Sequence, residues 1–431
     1  MPRESVSAHS PPRIAFVSLG MLVLDELHLP DGQVLSDRVG GSGAWSMLGA
    51  RMVLGPREAS EVGSFVVAGH DFPESAAQVV RELRVTLEML VDESRESTRG
   101  RLVYHDAGFN NKTFNYLTTP LQPTPTQLPL NLLRSESFHM LLPPEAIMEQ
   151  VPQLLTRRRE AGILEDPLIV WEPLPWKCTP EHLAAHKEAC QLVGVFSPNH
   201  LELLGLYGRA RANTKNKTSM AADDKQSDDT LDEMENIKKC ADSLYNEVVA
   251  AGVAAGGESW PGHMLAVRCA EKGCYVIYDG KGSTFPPYHQ DQTAVVDATG
   301  AGNAFLGALA VSLVRAAWQL KERSPNSSST ELGGRAAATA EAEAILMHHR
   351  DDSRLDGDDR SRLLVLDAIS QATVVASFAI EQIGFPHRRE TAGEDDELYE
   401  HWNEDMVSKR DTVLACRTPP SPWCDISPAT G

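Results

Sequence analysis

Three groups of residues in this sequence have the types and spacing that chemistry on a phosphate or a hydroxyl requires. The first lies in "VVDATGAGNAFLGALAVSL" (295–313), where Asp297, Thr299, Gly300, Ala301, Gly302 and Asn303 precede an apolar run. Small residues ahead of a helix let the backbone turn sharply, and the helix start gathers unpaired N–H groups and a positive dipole end, which suits an anion. The same glycines would also serve plain tight packing of helix on strand. The loop has neither the GK[ST] of a Walker loop nor a full GxGxxG. The second group is Asn199 and Glu202 in "FSPNHLELLG" (196–205). Three residues apart in a first helical turn, an amide and a carboxylate can hold a hydrated Mg²⁺ beside a phosphate, or can simply cap the helix. The third group follows the first strand. Asp25 can accept hydrogen bonds from two hydroxyls of a polyol or serve as a turn carboxylate, and Gly40, Gly41 and Trp45 in "GGSGAW" open a helix.

Elements that would position these groups are legible as apolar runs. "RIAFVSLG" (13–20), "EVGSFVVAG" (61–69), "SFHMLL" (137–142), "PLIVWEP" (167–173), "LVGVFSPN" (192–199), "HMLAVRCA" (263–270) and "CYVIYDG" (274–280) read as buried strands. Helical patterns at 45–55 and 143–162 fall between them, so the expectation is an α/β fold with a mostly parallel sheet covered on both faces. Segments 25–41 and 99–119 are mixed polar and aromatic, and read as a small antiparallel flap. Residues 1–11, insertions at about 209–236 and 321–362, and an acidic tail at 388–431 are too polar to offset chain entropy, and are expected to be disordered around one domain spanning 12–387.

Composition excludes some functions. The formal charge of −20, from 60 acidic and 40 basic residues, repels a phosphate backbone, so no nucleic-acid partner is expected. No apolar leader is visible, and the apolar run 304–314 is interrupted at Arg315, short of the roughly 20 residues of a span. The seven cysteines contain no CxxC pair and read as reduced thiols. A cytoplasmic chain without a membrane partner is the expectation. The histidines show no HxH or HExxH spacing, so zinc is not expected. Glu172, in "WEPLPW", could line a pocket, although packing is the plainer reading.

The order of these motifs resembles the PfkB/ribokinase family of small-molecule kinases: an early GxxxxD, a glycine-rich helix opening, a late NxxE and a final DxxGAG. "TRG" (98–100), "FSPNHLE", "TGAGNAFLGAL" and "ASFAIEQIG" (376–384) look like its fungal maintenance-of-killer branch. The resemblance implies a ribokinase-like three-layer α/β/α sandwich with a β lid. It implies ATP and Mg²⁺ as cofactors, with Asn199 and Glu202 organising the metal and phosphate. Thr299, Gly300, Ala301 and Gly302 would surround the transferred phosphoryl group, and Asp25, Gly40, Gly41 and Trp45 would meet the polyol. Asp297 and Thr299 stand where relatives with a monovalent-cation site, such as K⁺, place ligands. Asn303 replaces the usual catalytic aspartate. An amide cannot act as a general base near neutral pH, and that role is worth about 10²–10⁴-fold. Trp45 replaces an asparagine common in sugar-binding relatives. Two functions follow: a kinase for a sugar- or nucleoside-like hydroxyl, or a nucleotide-binding pseudokinase acting through partners. A homodimer through the lid and a protein partner at the acidic tail complete the expectations.

Overall fold

Each apolar run above contains a strand, and together they build most of one sheet. In this computed structural model, residues 13–106, 108–109, 111–209, 226–254, 263–322, 357–392 and 398–403 are described. The main sheet has nine strands. From one edge they run Lys281–Phe285, Cys274–Tyr278, Met264–Arg268, Val195–Phe196, Leu168–Glu172, Ser137–Leu141, Phe16–Ser18, Val62–Gly69 and Thr86–Asp92. All neighbours pair in parallel except the first two strands of that order, which form an antiparallel margin.

Successive residues of the inner strands enter opposite cores, which is why these strands read as unbroken apolar runs. Phe16 and Val66 pack on one face, and Val17, Phe65 and Val67 on the other. Helices Gly41–Leu54, Ala301–Glu322 and Gly357–Ala379 cover the first face through residues such as Met47, Leu306 and Ile369. Helices Pro144–Glu160, Leu183–Cys190 and Gln226–Ala254 cover the second through Ile147, Ala189 and Leu244. The α/β/α sandwich expected from the resemblance is therefore present.

Two helices cross almost backbone to backbone. A Cβ on Gly49 would stand 2.0 Å from the Ala304 carbonyl oxygen, and one on Gly307 would stand 1.8 Å from that of Ser46. These glycines fix the helix carrying Trp45 against the helix that starts at the small-residue loop. Helices Ala301–Leu320 and Ser361–Ala379 are long and apolar enough to cross a membrane by length and composition, which corrects the reading that stopped at Arg315. In this fold they are largely buried, packing on each other and on the sheet.

The lid forms a separate four-stranded sheet in the order Val34–Gly40, Val23–His28, Arg99–Tyr104, Lys112–Tyr116. It is antiparallel at both margins, but its central strands run parallel, with Asp25 opposite Gly100. The expectation of a wholly antiparallel flap fails because two hairpins far apart in sequence join through their first strands.

The segment boundaries also change. Helix Gln226–Ala254 begins inside the expected first insertion; Ile237, Cys240, Ala241, Leu244 and Val248 give it a buried stripe at helical spacing. Helix Gly357–Ala379 begins inside the second insertion. The acidic tail is ordered at its start, where Arg388–Ala392 pairs with Leu398–Trp402. Its charges are not simply solvated: Glu400 pairs with the fully buried Arg51 and with Arg388 at 2.8 Å, and Trp402 is buried. Residues 1–11, the middle of each insertion and the tail beyond 403 lie outside the described residues.

Candidate active site

The expected site residues gather at the C-terminal ends of the parallel strands, where open α/β sheets bind ligands. Asp297 is buried and accepts from the Thr299 N–H at 3.0 Å and the Thr299 hydroxyl at 2.7 Å, which shapes the turn into Gly300. Gly300 has φ +82°, a conformation open to glycine but strained for other residues. The 22-residue helix Ala301–Glu322 starts there. Its first-turn N–H groups have no intrahelical partner, which leaves Ala301, Gly302 and Asn303 at an anion-favouring helix end.

Trp45 lies behind this loop. Its indole would meet a Gly300 Cβ at 2.1 Å, and it packs edge-on against Phe385 with ring centroids 4.9 Å apart. It is nearly fully buried, so it fills space under the loop and does not present a stacking plane. This tryptophan also explains why position 300 tolerates no side chain.

Asn303 is held within a buried polar network. Its amide nitrogen donates to Glu172 Oε2, and Arg268 Nη1 donates to Glu172 Oε1 at 2.7 Å. His139 Nε2 stands 3.4 Å from Glu172 Oε2, and His139 Nδ1 is 3.0 Å from the Ser18 hydroxyl, which accepts from the Gly20 N–H. A carboxylate can only accept, so His139 is assigned the Nε2–H tautomer and Ser18 donates to Nδ1. Burial disfavours the Glu172 charge, yet Arg268 and the hydrogen bond from His139 hold its carboxyl below the usual range. The geometry turns the Asn303 carbonyl oxygen away from Glu172, leaving it as an acceptor with almost no basicity.

Asn199 and Glu202 form a reciprocal cap on helix His200–Leu206. The Asn199 side chain accepts from the Glu202 N–H at 2.9 Å, and Glu202 Oε2 accepts from the Asn199 N–H at 2.7 Å. The capping alternative is therefore realised. The same carboxylate also faces Arg268 at 3.6 Å. Burial pushes Glu202 up to about 7, with Arg268 opposing the rise and Glu172 adding to it. Among the described residues no group of three or more His, Cys, Asp or Glu side chains could hold a metal alone. Mg²⁺ needs only one or two carboxylates when phosphates and water supply the remaining oxygens. Glu202, whose cap bond uses only Oε2, fits that role; Glu172, taken on both oxygens by Arg268, Asn303 and His139, does not.

Asp297 and Thr299 do not fit a K⁺ site. Lys112, from the lid, places its ammonium 2.6 Å from Asp297 Oδ1 and 2.5 Å from the Thr299 hydroxyl, and the Tyr104 hydroxyl donates to Oδ2 at 2.6 Å. Burial, and then the bond to Asp297, push the Tyr104 phenol up. A fixed cation thus stands where a mobile one was expected, and it ties the lid to the loop.

Asp25 remains on the lid. Its Oδ1 is buried without a hydrogen-bond partner, and burial pushes its carboxyl up to about 7. Gly40 makes room for its other oxygen: a Cβ there would fall 2.0 Å from Oδ2. Gly41, next to it, opens the helix of Trp45. An orphaned buried carboxyl oxygen on the lid calls for a ligand that brings a donor.

A cavity of about 260 Å³ adjoins the loop, lined by Arg268, Val295, Ala301, Gly302, Phe305 and Ile380 among others. Its apolar walls with one cation at the loop suit the ring end and the phosphate end of a nucleotide. A larger cavity of about 640 Å³ lies at the opposite strand ends, among Glu136, Arg158, Leu168, Val195 and Trp318, away from this chemistry.

The profile of the pfkB family carbohydrate kinases matches residues 24–344. The chain belongs to this family. An uncharacterized protein of Schizosaccharomyces pombe is 24% identical over 414 residues, covering 92% of this chain and 91% of its own length. Protein MAK32 of Saccharomyces cerevisiae is 26% identical over 314 residues, 69% of this chain and 77% of that protein, consistent with the resemblance to the fungal maintenance-of-killer branch. The fold is similar to ribokinase from Giardia lamblia, with TM-score 0.56, 14% identity, and 86% of this chain and 94% of that one covered. It is also similar to a fructokinase variant from Vibrio cholerae solved with fructose, ADP and potassium bound, with TM-score 0.51, 15% identity, and 87% and 94% covered.

Sequence reasoning missed Arg268, Lys112, Tyr104 and His139, and favoured a packing role for Glu172. One signal was available: Glu172 and Arg268 are each a lone charge closing an otherwise apolar strand. Lys112 and Tyr104 carried no such mark, because their partner is 185 or more residues away in sequence.

Proposed function

We propose that this family member binds Mg–ATP across the 299–303 loop and the adjoining cavity, and carries the terminal phosphoryl group to a hydroxyl of a polyol held by Asp25. The observation that carries this reading is the unpartnered Asp25 carboxylate on a lid tied directly to the loop through Lys112 and Asp297. An acceptor binding to Asp25 would be brought to the helix end that favours phosphate.

In the reaction the bond from the γ-phosphorus to the bridging oxygen breaks, and a new one forms to the acceptor oxygen. The helix N-terminus and Arg268 would stabilise charge on the transferred group, which is the main contribution in phosphoryl transfer. Bound Mg²⁺ would neutralise charge on the phosphate oxygens. Asn303 Oδ1 would align the acceptor hydroxyl by accepting its hydrogen bond. With no base there, the proton leaves late, to the product phosphate or water, and turnover is slow by about 10²–10⁴-fold relative to a site with a carboxylate.

The second reading, a nucleotide-binding regulator without turnover, draws on the hold of Glu172 on Asn303. Transfer of label from γ-labelled ATP to a pooled panel of sugars and nucleosides separates the two. Label on an acceptor that Asp25→Ala abolishes, with ATP binding intact, supports the kinase. Bound ATP with no transfer by the wild type supports the regulator.

A further inference from the structure

The inner face of the lid narrows the acceptor, taking the polyol-binding role of Asp25 proposed above as its starting point. Register sets three rows of side chains on one face: Asp25, Gly100 and Tyr116; then Leu27, Leu102 and Phe114; then Tyr104 and Lys112. The last row reaches Asp297 at the loop, so this face is turned toward the site. Leu27, Leu102 and Tyr104 are buried, whereas Phe114 and Tyr116 are 44% and 42% exposed. Their rings meet edge-on, with centroids 5.0 Å apart.

The gap at Gly100 joins these rings to the carboxylate. A Cβ placed there would lie 2.7 Å from Asp25 Oδ1 and 2.5 Å from the Phe114 ring. Asp25 also acts on the Tyr116 phenol, whose pKa is raised first by burial and then by that carboxylate. The orphan acceptor and the exposed aromatic pair therefore border one space. Apart from Asp25 and the exposed Arg38 opposite it, the first two rows offer aliphatic and aromatic surface. A bare sugar, with hydroxyls around the ring, would leave most of them unpaired against such a wall. A molecule with a diol at one end and a flat ring at the other would satisfy both parts.

We propose that the acceptor is a nucleoside-type polyol, its vicinal hydroxyls on Asp25 and its planar ring against Phe114 and Tyr116. Base-on-aromatic stacking of this kind contributes about tenfold or more in affinity per ring.

The test is calorimetric titration of the full chain, in the presence of Mg²⁺ and a non-hydrolysable ATP analogue, with a purine riboside, a pyrimidine riboside and methyl riboside. At least one nucleoside should bind about tenfold or more tighter than methyl riboside. Phe114→Ala/Tyr116→Ala should remove that advantage while leaving binding of the ATP analogue unchanged, and Phe114→Trp should retain it. Asp25→Asn should weaken the nucleoside in either aromatic background. Equal binding of nucleosides and methyl riboside, an advantage that survives the double alanine variant, or no binding of any riboside would overturn the proposal. Nucleoside binding without phosphoryl transfer would uphold it while removing the kinase reading. Transfer to a bare sugar alone would do the reverse.

Discussion

Asn303→Asp, the substitution that restores the usual family residue, should not yield an ordinary catalytic carboxylate, because Glu172 already touches that position. The variant sets two carboxylates against each other in a buried site. Like charges about 4 Å apart at an effective dielectric near 20 repel by about 4 kcal/mol, or about 3 pKa units. Arg268 on the other Glu172 oxygen relieves part of this, leaving a rise of about 2 units in the upper apparent pKa of the pair. Phosphoryl transfer by the variant should therefore appear as pH rises through roughly 6–7, with a gain of about 10²–10⁴-fold over wild type at its plateau. The sign for stability is opposite. A folded-state pKa raised above the unfolded value gives stability that is present at low pH and lost as pH rises through the folded pKa, here about 3 kcal/mol. Adding Glu172→Gln should move the activity midpoint down by about 2 units and recover that stability. Initial rates and urea unfolding between pH 5 and 8.5 measure both quantities. A flat rate profile with unchanged stability in Asn303→Asp would refute the reasoning, since it would mean that Asn303 and Glu172 are not coupled.

Four further outcomes follow from the same geometry. Arg268→Gln should weaken ATP at least tenfold while sparing adenosine, because the guanidinium stands beside Gly302 at the loop end of the cavity, where the proposed site takes the phosphates; calorimetry showing equal losses would refute that assignment. Lys112 should make nucleotide binding indifferent to K⁺, and Lys112→Met, which leaves the buried Asp297 short of its cation, should cost about 1–3 kcal/mol in denaturant unfolding; strong K⁺ activation of the wild type would contradict it. Ligands that donate to Asp25 favour its ionised form, so their affinity should climb as pH rises through about 7 with proton release on binding, and titration in buffers of different ionisation enthalpy reads this directly. Glu400→Ala strips the cation partner from Arg51, which is fully buried, and should cost about 3 kcal/mol of unfolding free energy; a change below about 0.5 kcal/mol would mean that the hairpin is not held by this pair.

Sequence made the scaffold legible where one physical rule acted locally. Strands buried on both faces had to be largely apolar, and so Phe16–Ser18, Ser137–Leu141 and Met264–Arg268 stood out despite Ser18, His139 and Arg268. Thr86–Asp92 and Lys281–Phe285 are the two edge strands; the second is mostly exposed and polar, the first mixes partly buried polar residues with the exposed Leu90 and Val91, and both blended into the loops. The beginning of the tail was hidden for a different reason. "ELYEHW" reads as solvated charge unless Arg51, 349 residues earlier, is known to face Glu400. Loop, cap and lid carboxylate were found because each is a short motif. What binds them together, Arg268 on Glu172 and Lys112 on Asp297, was not, since each pair is closed only by folding.

That distinction bears on what Asn303 means for function. A lost base in an otherwise open site would suggest decay, with the neighbouring polar groups left unsatisfied. Here Asn303 satisfies Glu172, which also takes Arg268 and His139, and the chain continues through Ser18 to the Gly20 N–H at the lid entrance. An aspartate would break this arrangement unless it carried a proton, so the amide is the residue that the surrounding network requires. Reverting one position therefore tests the network as much as the base, and the paired Glu172→Gln change is what tells them apart. If the double variant transfers phosphate already at about pH 5 and the single one only as pH rises through roughly 6–7, the site is a kinase centre held by Glu172 in a less basic form. If neither transfers while both bind ATP, the network serves nucleotide recognition, and the Asp25 ligand acts by setting the position of the lid.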